Sequence, residues 1–315
     1  MSFCFSLMKP LLAGCLAACL AGCEENDFIP LSDFPDETHT NPPIVLRSDT
    51  LRILAIGNSY TRIAIEWIDT IAAHLNADHE KFCIYAVTVS DKGLDYWAQA
   101  YRQHEILHLE RQAGAVTVPS DSGTLEALVR QPWDMVMLQQ ISSRANDSRS
   151  FHPYIDTLVN VLRRECPNPD VIIVWHNVWA RLSEEDETGD MNQRWNIAAS
   201  LHLLNNGYVD VIVPVCQAVQ YARHSPVNTP HYLTRDGSHL TEAVGTYIAS
   251  ATLFETLLAP VFHCSATDDN TVHIVTDYEK SWHKYETVNL DDSTRSVALG
   301  CVLKAVAAPF TPFKQ

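Results

Sequence analysis

From residue 51 onward the chain alternates short β-rich runs with longer amphipathic stretches, and this alternation leaves few architectures open. The runs are LRILAIG (51–57), FCIYAVTV (82–89), DMVMLQ (134–139), DVIIVWH (170–176) and DVIVPV (210–215). Each is nearly continuous in apolar residues, the pattern of strands covered by helices on both faces. Between them, IAIEWIDTIAAHL (63–75), YIDTLVNVLRREC (154–166) and WNIAASLHLL (195–204) repeat their apolar residues at intervals of three and four, which predicts helices. The expected fold is α/β: a three-layer α/β/α sandwich around a central, mostly parallel five-stranded sheet, forming one domain over 50–315 with a last helix from about 291. In such sheets ligands bind beyond the carboxyl ends of the strands, where strand order reverses. Attention falls on GNSY after the first run, LQQIS after the third and HNVW after the fourth.

The first 22 residues read differently. Lys9 precedes PLLAGCLAACLAG, an apolar stretch too short to span a bilayer and rich in small residues, as in an export signal. Leu20, Ala21, Gly22 and Cys23 resemble a bacterial lipobox, which implies cleavage before Cys23 and a lipid anchor on it. An earlier LAGC, ending at Cys15, lies too close to Lys9 to leave an adequate apolar core. Glu24, Glu25 and Asp27 resemble the acidic stretch that routes some Bacteroidetes lipoproteins to the outer surface. Residues 23–49, acidic and carrying Pro30, Pro35, Pro42 and Pro43, read as an extended tether. Together these features imply an exported lipoprotein of the outer membrane or cell surface. Of nine cysteines, Cys83, Cys166, Cys216, Cys264 and Cys301 remain for the fold, scattered and without a C-x-x-C pair. They read as buried thiols, with one disulfide open to them in an oxidising compartment.

A formal net charge of −16 argues against nucleic acid as a partner, because phosphate backbones are bound by clusters of Lys and Arg. A neutral or cationic small substrate fits better.

Ser59, in Gly57-Asn58-Ser59-Tyr60, stands where a strand turns into a helix, a place that exposes a hydroxyl. Capping alone would also explain Asn and Ser there. Near the other end, in LTRDGSHLTEAVGTYIAS, Asp236 and His239 are three apart, so one turn can present the imidazole while the carboxylate sets its tautomer.

Strand-GNS-helix and D-G-S-H-L, about one α/β domain apart, resemble the first and last blocks of the SGNH (GDSL-type) hydrolase superfamily. A group of SGNH-like bacterial lipoproteins resembles the chain further, through ILAIGNS (53–59), LQQIS (138–142), HNVWA (176–180) and RDGSHLTEAVGTY (235–247) in that order. The resemblance covers roughly residues 50–260 and implies a flavodoxin-like SGNH hydrolase fold. It also implies Ser59 as nucleophile, His239 as base and Asp236 as its partner, in a serine esterase that needs no metal or cofactor. The family's oxyanion donors would map to the backbone N–H of Ser59 and to Gly93. Its G-x-N-D block is absent here, and Gln139 or Gln140 is the side-chain substitute on offer. His176 and Trp179, beyond the fourth strand, are candidate substrate contacts, an indole there being able to stack on a sugar. The polar, aromatic-rich loops suit a carbohydrate ester more than a long acyl chain.

Two other readings stand beside this one. HEILH (104–108) matches the H-E-x-x-H signature of zinc peptidases, which on a helix puts both histidines on one face. The segment YWAQAYRQHEILHLERQAG reads as amphipathic helix, with Glu126 as a distant third ligand, but Arg111 stands where the longer metzincin signature has Gly. The remaining alternative is a surface glycan-binding lipoprotein that kept the fold without the reaction.

Overall fold

Leu51–Gly57 forms β1 because its odd and even residues find apolar cover on opposite sides: Leu51, Ile53 and Ala55 face one core, Leu54 and Ile56 the other. The same period of two runs through the neighbouring strands, as a sheet buried on both faces requires. The computed structural model describes residues 41–44, 46, 49–228, 233–268, 279–280, 283–284 and 290–313. The expected signal segment 1–22, Cys23 and residues 24–40 of the tether lie outside these described residues.

In chain order β1 is followed by α1 (Ser59–Ile65), α2 (Ile68–His74), β2 (Phe82–Thr88), α3 (Leu94–Arg102), β3 (Ile106–His108), β4 (Glu110–Gly114), β5 (Ser122–Thr124), α4 (Leu125–Val129) and β6 (Met135–Leu138). Then come α5 (Tyr154–Glu165), β7 (Ile172–His176), α6 (Asp190–Asn205), β8 (Val211–Val213), α7 (Val215–Arg223), α8 (Val244–Leu253), α9 (Ala259–Phe262) and α10 (Asp292–Ala307). The fold is mixed α/β, with a central, mostly parallel sheet flanked by helices. Strand order is β4-β2-β1-β6-β7-β8. All pairings are parallel except β2 with β4. Strand order reverses between β1 and β6, so the carboxyl ends of these two strands flank the switch point.

The sheet has six strands where five were expected. The sixth, β4, is an antiparallel edge strand inside a segment whose composition reads as helix. Helix α3 ends at Arg102, His104 takes a left-handed φ of 51°, and Leu107 and Leu109 are buried on either side of exposed His108. That spacing has the period of a strand, too short a run to separate from a helical one by sequence.

At the opposite edge the side chain of Asn41 brackets β8, donating to the Ile212 carbonyl (2.8 Å) and accepting from its N–H (3.0 Å). Ile44 and Leu46 pack against the core nearby, so this end of the expected tether is part of the domain surface. Edge groups satisfied in this way are closed to pairing with another chain.

Helix α10, capped by Asp291 accepting from the Thr294 N–H, packs Ala298, Cys301, Val302 and Ala305 into the core that holds α7 and α8. Val244–Phe262 is long and apolar enough to cross a membrane by length and composition, but most of it is buried inside the domain, as in a core helix. The five cysteines of the fold are free thiols, and burial pushes those of Cys83 and Cys216 up to about 12.

Candidate active site

The turn after β1 is built to hold Ser59 in place. A Cβ on Gly57 would collide with Thr61 Oγ1, so only glycine lets the strand pass so close to α1. Asn58, buried, accepts from the Tyr60 N–H at 3.0 Å and donates to the Lys92 carbonyl at 2.9 Å, tying the Ser59 turn to the loop after β2.

The second half of the site arrives from 180 residues away. A bridge between Thr234 and Leu240 closes a short loop in which Gly237 takes a φ of +74°. Asp236 Oδ1 accepts from the backbone N–H groups of Ser238 (2.9 Å) and His239 (2.6 Å), and its Oδ2 lies 2.7 Å from His239 Nδ1. Partial burial opposes ionisation of Asp236, but the His239 ring and the two backbone N–H groups outweigh it and hold the carboxyl at about 2. Ionised, Asp236 can only accept, so Nδ1 carries the ring proton and Nε2 of the neutral imidazole is an acceptor. Ser59 Oγ sits 3.1 Å from that Nε2.

Residues outside the proposed triad press the two halves together. The Tyr60 hydroxyl donates to the Ser238 carbonyl at 2.9 Å and meets Ser238 Oγ at 2.7 Å. Trp179 stacks on the Tyr60 ring (centroids 4.0 Å apart, planes 11° apart), and its indole N–H donates to the same carbonyl at 2.6 Å. Trp179 is thus a fully buried brace and offers no face to a sugar, contrary to the expectation for a substrate contact. His176 is also fully buried, without a hydrogen-bond partner among the described residues, and burial pulls its ring down to about 3. It is a neutral core residue. Trp179→Ala is expected to cost about 3–5 kcal/mol in urea unfolding, the range for truncating a buried aromatic.

The glutamines after β6 are also committed inside the protein. Gln140 Oε1 accepts from the N–H groups of Leu94 (3.1 Å) and Ile141 (2.9 Å), and its amide N–H groups reach Ser150 O and Oγ (both 3.2 Å). Nothing is left to donate to an oxyanion. Gln139 accepts from Thr61 Oγ1 at 2.7 Å; its amide nitrogen has no partner among the described residues, but the side chain is buried. Neither glutamine lines the cleft over Ser59. Gly93 packs directly on Gln140, where a Cβ would collide with Oε1, so packing alone requires glycine there.

The cleft over Ser59 has a volume of about 310 Å³. Beside Ser59, Asp236 and His239 it is lined by Asp91, Ser142, Ser143 and Arg181. These were not singled out from the sequence, although Ser142 and Arg181 directly follow or close the LQQIS and HNVWA blocks.

HEILH lies on no helix. His104 occupies a left-handed turn, and residues 106–108 form β3, paired antiparallel with β5. Side chains four apart share a helix face only on a helix, so the geometry of a zinc H-E-x-x-H is not formed. Glu105 instead accepts from the Tyr96 hydroxyl at 2.7 Å. His104→Ala is expected to leave unchanged whatever hydrolysis of p-nitrophenyl acetate the protein shows.

A family model described as "Domain of unknown function (DUF4886)" matches residues 52–275. The chain belongs to the DUF4886 family. No curated protein matches it. The crystal structure of a DUF4886 family protein from Bacteroides uniformis ATCC 8492 superposes with a TM-score of 0.64 at 22% identity, covering 84% of this chain and 98% of that one. At that identity the likeness speaks for the fold. In this DUF4886 protein, the matched region contains both β1 with Ser59 and the loop of Asp236 and His239, the parts that the fold brings into contact.

Proposed function

We propose that this DUF4886 protein is a serine esterase of SGNH type, on a three-layer α/β/α sandwich, that removes acetyl or another short acyl group from carbohydrate. The observation that carries the reading is the unbroken hydrogen-bond chain Ser59–His239–Asp236 at the carboxyl edge of the parallel strands, beside the switch point.

His239 Nε2 takes the Ser59 proton as Oγ attacks the acyl carbonyl, and Asp236 steadies the imidazolium that forms. Collapse of the tetrahedral intermediate expels the alcohol, protonated by His239, and leaves an acyl group on Ser59. Water, deprotonated by the same ring, then releases the carboxylic acid and restores the Ser59 hydroxyl. The oxyanion would be met by the backbone N–H of Ser59, a residue of the cleft wall; Gly93, the other donor that the resemblance implies, is not among the residues lining the cleft. Where the superfamily places its Asn, this chain offers Ser142 and Ser143, which line the cleft after β6. The N-terminal signal features support export as a lipoprotein anchored through Cys23 at the outer membrane or cell surface, the lipid being its link to the membrane.

The test is hydrolysis of p-nitrophenyl acetate by protein lacking residues 1–23, together with labelling by a serine-directed fluorophosphonate. Turnover with the label mapped to Ser59 is expected. Folded protein that neither hydrolyses acetyl esters nor takes the label would overturn the proposal and favour a glycan-binding lipoprotein.

A further inference from the structure

A second cavity, of about 600 Å³, opens beside the catalytic cleft, and Ser143 lines both. Its size falls within the roughly 300–1,000 Å³ of small-molecule sites. One wall is a stripe of α6: Met191, Trp195 and Ala198, spaced four and three apart on one helix face. Trp195 is half-buried and Met191 is 42% exposed, one of two large hydrophobic side chains so exposed among the described residues. The opposite wall, from the 143–149 loop, is polar.

The polar wall is organised and close to electrically neutral. Asn146 donates to Asn192 Oδ1 at 3.0 Å, and Asn192 in turn donates to the carbonyl of Arg181, whose residue lines the catalytic cleft. Arg144 pairs with Asp95 at 2.5 Å, and Arg149 with Asp147 at 2.9 Å. Paired guanidinium groups leave little surplus positive charge for an anionic ligand, and a chain of net charge −16 repels one. An apolar strip with an indole facing amides and hydroxyls fits a ring with C–H faces and hydroxyl edges. A fatty acyl chain would take water from the polar wall and offer it no hydrogen bond in return.

We propose that this groove binds the alcohol half of the substrate, a neutral oligosaccharide that carries its ester into the adjoining cleft, with Trp195 as the stacking platform. The proposal rests on the esterase reading for the ester's position, but binding in the groove is independent of turnover.

Two measurements test it. In the first, kcat/KM is measured on p-nitrophenyl acetate, p-nitrophenyl octanoate and acetylated oligosaccharides derived from xylan, mannan and chitin. The ratio of glycan ester to p-nitrophenyl acetate is expected to fall at least ten-fold in Trp195→Ala and to recover largely in Trp195→Phe. An unchanged ratio, or a loss confined to the octanoate, overturns the proposal; the latter assigns the groove to an acyl tail. In the second, Ser59→Ala protein is titrated with the same glycans by calorimetry, with and without Trp195→Ala. Saturable binding weakened at least ten-fold by Trp195→Ala is expected, and no binding to any of them overturns the groove. Binding by a wild-type protein that hydrolyses no ester would overturn only the esterase reading.

Discussion

Ser59→Ala should lower kcat on p-nitrophenyl acetate by about four to six orders of magnitude, the loss found when the nucleophile of such a triad is removed. The substitution deletes the one oxygen placed 3.1 Å from His239 Nε2. It leaves the surrounding brace untouched, because Tyr60 and Trp179 hold the Ser238 carbonyl without Ser59. The fold should therefore survive, with a change in unfolding free energy near the ~1 kcal/mol typical of one hydrogen bond. Stopped assays on the variant, with thermal unfolding beside them, separate lost chemistry from lost structure. Turnover within ten-fold of wild type would remove Ser59 from the mechanism.

Asp236→Asn should lower kcat by about 10⁴, the cost of presenting the wrong imidazole tautomer. Two backbone N–H groups point at Oδ1, so the amide oxygen of Asn will take that place and turn its NH₂ toward His239 Nδ1. Nδ1 must then accept, the ring proton moves to Nε2, and the base can no longer take the proton of Ser59. The pH dependence follows from the same contacts. With its carboxyl held at about 2, Asp236 stays ionised at every pH where the enzyme would work, so an acid limb in the rate profile is not its titration.

For stability the sign is that of a depressed carboxylate. Its contribution is fully present above the ordinary value of 3.8 and is lost as pH falls through about 2. The difference in urea midpoint between wild type and Asp236→Asn should be constant above about pH 5 and shrink steadily toward pH 2. A difference that instead grew on acidification would contradict the hydrogen-bond pattern at Oδ1 and Oδ2.

Much of the architecture could be read before any coordinates. The five parallel strands lie within their apolar runs, since a strand covered on both faces needs near-continuous hydrophobicity and few other elements tolerate it. Ser59 at a strand-to-helix turn and an Asp three residues before a His are local patterns, readable because backbone geometry over three or four residues decides them. The edge strand β4 was not readable in that way. Its pairing partner, β2, lies more than twenty residues upstream, and the polar ERQAG has no periodicity to announce it.

What the sequence determined by itself is therefore the layered α/β order and the chemical types at the strand ends, because both follow from near-neighbour spacing. The tertiary structure decided which of those side chains remain available. Trp179 is spent bracing Ser238, Gln140 is spent on Leu94, Ile141 and Ser150, and His176 is sealed in the core. Trp195, read from the sequence only as the start of a helical run, stands half-buried beside the cleft. Burial and hydrogen-bond saturation are set by groups that meet only after folding, and no reading of local spacing contains them.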